Sequence, residues 1–212
     1  MVPRMEELVQ HLKAVGVLKT PALIEAFQKT DRKDFVLQEY QDAAYEDYPL
    51  PIGHGQTISQ PYTVAFMLEL LQPKKGERIL DVGSGSAWTT ALLASLAGSK
   101  GRVYGTELIK ELVQFGKENL AKWTVRSQAS NTPELFPAKK GTLGLPDKAP
   151  FDKILVSAAA QKIPQELLDQ LKKTGTMVLP VEDAVIRVKR IPGREPDVQR
   201  FEGFAFVPLR FP

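Results

Sequence analysis

Between an apolar run, Arg78 to Val82, and a stretch striped by Leu92, Leu93 and Leu96 lies Gly83-Ser84-Gly85-Ser86-Ala87-Trp88. An apolar run of five is a short buried strand, and leucines at that spacing are one face of a helix. A glycine-rich turn between a strand and a helix lets the backbone come close to a ligand, and it points the helix N–H groups at that ligand. This turn constrains the chain more than any other feature, because it belongs in an α/β sheet, where it marks the ligand-binding edge.

The rest of the sequence agrees with that placement. Arg102 to Thr106, Lys153 to Ala158 and Thr176 to Val181 read as further strands. Helical patterns fall over Pro61 to Pro73, Lys110 to Trp123 and Pro164 to Lys173, the last carrying Leu167, Leu168 and Leu171. Alternation of this kind predicts a mostly parallel sheet with helices on both faces. Before it, Met5, Leu8, Val9 and Leu12 recur at helical spacing, and Thr20-Pro21 reads as the N-cap and first position of a second helix. After it, the alternating segments from Val185 to Leu209, broken by Pro192-Gly193, predict antiparallel edge strands. Residues 124 to 150 carry no clear pattern. One domain is expected over 1–212: a helical N-terminal extension and active-site loop (1–55), an α/β core (56–181) and edge strands (182–212).

Composition removes several chemistries. There is no cysteine, so disulfides, thiolate metal sites and cysteine nucleophiles are excluded, and the two histidines, His11 and His54, make a poor metal pair. A net charge of +3 from scattered basic residues does not indicate nucleic-acid binding. No apolar run approaches the ~20 residues that cross a bilayer. Met1 to Lys13 lacks the apolar core of a secretory signal, so the cytoplasm is the expected location.

The turn discriminates between nucleotide cofactors. A dinucleotide fingerprint places its third glycine where Trp88 stands, which disfavours NAD. Asp81 adds a negative charge, which suits a ligand bearing cations over one bearing a pyrophosphate; S-adenosylmethionine carries an ammonium and a sulfonium. Glu107, at the end of the next strand, is placed to accept from ribose hydroxyls.

Ala44-Tyr45-Glu46-Asp47, Pro49 to Gly53 and Gly55-Gln56-Thr57-Ile58-Ser59-Gln60-Pro61 resemble the protein-L-isoaspartate O-methyltransferases. The resemblance continues through Asp81 to Gly85, Phe151 to Val156 with Ala158 to Ala160, and Phe206 to Leu209. It implies a Rossmann-like S-adenosylmethionine-dependent methyltransferase fold. It also implies methyl transfer to the free α-carboxylate of isoaspartyl residues in proteins. A monomer is expected, with no nucleic-acid or membrane partner. Ser59 takes the active-site position, orienting the substrate at the mouth of the helix that Pro61 begins. Cofactor contacts are expected from Thr57, Ile58, Ser59 and Gln60, from Asp81, Gly83, Ser84, Gly85 and Ser86, and from Glu107 and Leu108, without a metal.

Three positions depart from the family pattern. Ala87 replaces a glycine and is expected to crowd the methionine end of the cofactor. Lys140 stands where an acid near the adenine is usual. Glu182 replaces another glycine, in a loop expected to be rebuilt. These departures leave open a binding module without activity, or a changed substrate.

Overall fold

The computed structural model describes residues 4–129 and 131–210, and residues 1–3, 130 and 211–212 lie outside it. In chain order, α1 (Met5–Ala14) and α2 (Pro21–Lys29) lead to a hairpin of β1 (Leu50–Gly53) and β2 (Gln56–Ile58). The core alternates: α3 (Pro61–Leu71), β3 (Arg78–Val82), α4 (Trp88–Ala97), β4 (Arg102–Glu107), α5 (Lys110–Ser127), β5 (Glu134–Pro137), β6 (Phe151–Val156) and α6 (Gln165–Asp169). It closes with β7 (Leu171–Val181), β8 (Ala184–Lys189) and β9 (Asp197–Glu202).

Seven strands form one sheet in the order β5-β4-β3-β6-β7-β8-β9. The first five run parallel, and β8 and β9 return antiparallel. The order reverses direction at β3, so β3 and β6 are the adjacent strands whose following connections leave toward opposite sides. A crevice opens beyond the carboxyl ends of strands at such a point.

Successive side chains on a strand face opposite sides, and the core divides accordingly. Ile79, Val103, Leu155, Val178 and Val185 pack against residues of α1 to α5. Leu80, Tyr104, Ile154, Val156 and Met177 face the other way, toward Leu143, Leu145 and Leu167. Helices lie on both faces, as expected, but the coverage is unequal. Five helices lie on one side, and α6 with the extended segment from 138 to 150 lies on the other. Among the described residues no helix is long and apolar enough to cross a membrane.

Other boundaries differ from those read in the sequence. The unassigned stretch 124–150 holds the last turn of α5, β5 and a 3₁₀ turn at Pro146–Lys148. The helix expected to reach Lys173 stops at Asp169, because the next residues join the sheet: Phe151 N donates to Gln170 O (2.8 Å), and Leu171 pairs with Phe151. Thr20 does not cap α2 with its side chain. The N–H groups of Lys19 and Thr20 donate to Glu69 Oε1, and the Thr20 hydroxyl donates to Glu69 Oε2, all at 2.7 Å. A carboxylate from α3 thus serves the mouth of α2, where the helix dipole favours negative charge.

Arg32 ties the extension to the core. It is fully buried. Its Nη1 donates to Ala44 O (2.9 Å) and Glu46 O (3.1 Å), and its Nη2 to Tyr48 O (3.0 Å) and Ser59 O (3.2 Å). The guanidinium lies 5.5 Å from the Trp88 ring centroid, and the Trp88 indole N–H donates to Thr30 O. Burial pushes its pKa down to about 10, with Asp47 pulling the other way, so it remains charged at neutral pH. Arg32→Ala leaves four carbonyls without this donor, that of Ala44 buried and the other three part-buried, the buried one alone costing about 1–3 kcal/mol, and it empties a fully buried site. The expected loss of unfolding free energy in urea is at least about 3 kcal/mol, and Arg32→Lys recovers only a minor part, since an ammonium cannot span a fork of four acceptors.

Candidate active site

The turn after β3 has the backbone that its glycines allow. Gly83 (φ +79°) and Gly85 (φ +53°) are left-handed, a region costly to residues with a Cβ. A Cβ on Gly85 would also lie 3.1 Å from Ile52 Cδ1. The turn is pinned from both sides: Gly83 N and Ser84 N donate to Thr106 O, as does the Ser84 hydroxyl (3.0 Å). Asn119 of α5 donates to Ser86 O (3.1 Å). Glu107 Oε2 accepts from Gly85 N and its Oε1 from Ile109 N, both at 2.9 Å.

Beyond the carboxyl ends of β3, β4 and β6 lies a cleft of about 720 Å³, within the range of small-molecule sites. Gly83, Gly85, Glu107 and Leu108 line it, with Thr57 from β2. A smaller cavity of about 320 Å³ sits over the glycine turn, bounded by Thr57, Ile58, Ser59, Ser84 and Ser86. An outer groove of about 1650 Å³ runs past Thr57, Ser59, Gln60 and Asp47 to the segment Glu202–Val207. Thr57 and Ser157 line all three spaces. Ser157, directly after β6, was not singled out in the sequence; its one signal is its place at the carboxyl end of a strand beside β3.

Asp81 is placed differently from the expectation. It is fully buried beneath the turn and does not line the cleft. Its Oδ2 accepts from the hydroxyls of Thr89 (2.8 Å) and Thr90 (2.6 Å), while Oδ1 has no partner among the described residues. Glu107 does line the cleft, and its oxygens retain further lone pairs, an acceptor that suits the hydroxyls of an adenosyl ligand.

The mouth of α3 also differs. Its N-terminal N–H at Tyr62 is taken by Asp47 Oδ1 (2.8 Å), and Gln60 Nε2 donates to Asp47 O (2.9 Å). Asp47 Oδ2 lies 3.5 Å from His11 Nε2. Ser59 precedes the cap position and its hydroxyl does not serve it. The helix mouth is already occupied by a carboxylate, so a substrate carboxylate must be held by side chains of the groove. His54 is exposed at the tip of the β1–β2 hairpin, away from the cleft lining. Tyr45 anchors its loop by donating to Asp31.

None of the three departures enters the cleft. Ala87 is left-handed (φ +72°) and fully buried, and its methyl points at Gly116 of α5: a Cβ built there would be 3.3 Å away. Lys140 is exposed. Glu182 (φ +56°) occupies a two-residue hairpin loop between Val181 and Ala184, so the loop is retained with a strained residue.

Burial pushes the Asp81 carboxyl up to about 6, against the Thr90 and Thr89 hydroxyls that pull it down. In the unfolded chain the ordinary value is about 3.9. The folded state therefore binds the proton more tightly; the resulting stability is full below about pH 4 and is lost as pH rises through 6, by about 3 kcal/mol. Asp81→Asn is expected to abolish this part of the pH dependence, measured by urea unfolding of both proteins at pH 4 and pH 7.

Comparison with known proteins bears on this site. Residues 3–210 match the family described as protein-L-isoaspartate(D-aspartate) O-methyltransferase. A protein-L-isoaspartate O-methyltransferase from Methanopyrus kandleri is 42% identical over 208 residues, covering 96% of this chain and 90% of the relative. One from Aeropyrum pernix is 43% identical over 206 residues, covering 95% and 77%. The fold is similar to that of a Plasmodium falciparum protein-L-isoaspartate O-methyltransferase solved with S-adenosyl-L-homocysteine, with a TM-score of 0.85, 25% identity, and coverage of 98% and 99%. With its residues matched from one end of the described structure to the other, and a cleft at the carboxyl edge of its sheet, the chain belongs to the protein-L-isoaspartate O-methyltransferase family.

Proposed function

We propose that the chain transfers a methyl group from S-adenosylmethionine to the free α-carboxylate of L-isoaspartyl residues in damaged proteins, opening the route to their repair. The observation that carries this reading is the wall shared by a nucleoside-sized cleft and a peptide-sized groove, with Thr57 and Ser157 on both sides of it.

Each residue has a task set by its place. Glu107 accepts from the ribose hydroxyls, and Asp81, buried beneath the turn, holds the start of α4 through the hydroxyls of Thr89 and Thr90. Gly83 and Gly85 keep the turn close to the ligand, and Leu108 with Ile109 covers its apolar face. Bound in this way, S-adenosylmethionine supplies a methyl group made electrophilic by its sulfonium. An α-carboxylate has a pKa of about 3.5 and is ionised at neutral pH, so no residue has to act as general base. Ser59 and Thr57 orient the carboxylate oxygen, and Ile58 with the groove wall excludes water. The gain is then one of placement and electrostatics. One chain lines all three spaces, so a monomer suffices.

An isoaspartyl peptide is expected to accept labelled methyl while its aspartyl counterpart does not; equal labelling overturns the substrate assignment. Ser59→Ala is expected to lower kcat/KM for the isoaspartyl peptide about tenfold with little change in S-adenosylhomocysteine affinity. Glu107→Ala is expected to weaken that affinity by at least about tenfold in calorimetry, from the loss of charge-assisted hydrogen bonds.

A further inference from the structure

At Lys140, where the family resemblance leads one to expect an acid near the adenine, the structure turns the side chain to solvent. Thr142 N donates to Lys139 O (3.0 Å), closing a turn over Lys139-Lys140-Gly141-Thr142. Gly141 at its third position has φ +72°, the value that a type II turn requires of glycine. The turn sends both lysines to solvent, where Lys139 pairs with Asp147 (2.7 Å). It then brings the chain back, so that Thr142, Leu143 and Gly144 line the cleft on the side reached beyond Glu107 and Leu108.

This wall is fixed from behind. Gln170, 5% exposed, receives Leu145 N at its Oε1 (2.7 Å) and donates from Nε2 to Leu143 O (2.7 Å) and Glu166 O (2.9 Å). Gly144 is left-handed (φ +79°), and a Cβ there would lie 2.5 Å from Gln170 Oε1. The segment can therefore neither shift outward nor accept a side chain at Gly144 without breaking the clamp. Around it the lining is mostly apolar, from Ile109, Ala138, Leu143, Pro208 and Leu209, with Arg210 also lining the cleft, and suits the faces of a purine. The Thr142 hydroxyl has no hydrogen-bond partner among the described residues, and it is the one side-chain hydroxyl in this part of the lining.

We infer that Thr142 is the base-reading residue of this enzyme, its hydroxyl accepting a hydrogen bond from the exocyclic amino group of adenine. The inference rests on the cleft being the cofactor site. A hydroxyl that accepts from an amino group replaces the missing acid without placing a charge against the ring.

The test is calorimetry with S-adenosylhomocysteine and with its 6-deamino analogue, in which hydrogen replaces the amino group. The wild-type protein is expected to bind the analogue about 3- to 10-fold more weakly, the value of one neutral hydrogen bond. Thr142→Val, of nearly the same shape, is expected to bind both compounds with affinities within about twofold of each other, and Thr142→Ser to keep the wild-type preference. A valine variant that still discriminates as the wild type does overturns the assignment while leaving the cofactor site standing. A wild-type protein that binds neither compound overturns both. Melting temperatures of the variants equal to that of the wild type exclude an effect through folding.

Discussion

The carboxylate of Glu107 accepts from the N–H of Gly85 and from that of Ile109, and the geometry of the cleft follows from it. One acid at the end of β4 thereby sets the position of the turn after β3 and of the residue from which α5 begins. Backbone N–H groups held by a carboxylate are short and strong partners, and this one is shielded from water by its own burial. Glu107 also lines the cleft, so the group that fixes the floor is part of its wall. Remove the acid, and both the frame and one of its contacts are lost together.

A second set of charges organises the wall opposite. Glu69 gathers the start of α2, Asp47 takes the mouth of α3, and Arg32 collects the carbonyls of the intervening loop and of Ser59. None of these acts within its own helix. Each joins segments at least twelve residues apart, so the N-terminal extension is locked to the site and does not merely cover it. The groove is lined from this locked layer, and the floor of the cleft belongs to the sheet. Thr57, Ser157 and Val207 line both.

What could be read from the residues, and what could not, follows from the range of the interactions. The glycine turn, the place of Glu107 at a strand's end and the alternation of strands with helices were legible because their logic is local: backbone freedom, strand length and the end of a strand. The edge strands β8 and β9 were legible for the same reason. The end of α6 was not, because the leucines of 167, 168 and 171 keep helical spacing while Leu171 in fact pairs with Phe151 of the sheet. Thr20 looked like a cap, yet a remote carboxylate, that of Glu69, performs that task. Asp81 was read as a cleft residue from its position at the strand's end, and its burial beneath Thr89 and Thr90 is a matter of side-chain direction that spacing does not encode. Gln170 and Ser157 had no pattern at all, since their partners lie on other elements.

Ala87 and Glu182 hold the left-handed backbone that glycine adopts freely, at a cost of about 1–2 kcal/mol each. Neither side chain meets the cleft. The glycines usual at these places are therefore conformational conveniences and not contacts, and a fold with stability to spare can drift away from them. A search pattern that insists on glycine there would discard working members of the family, whereas one built on the left-handed turn itself would keep them.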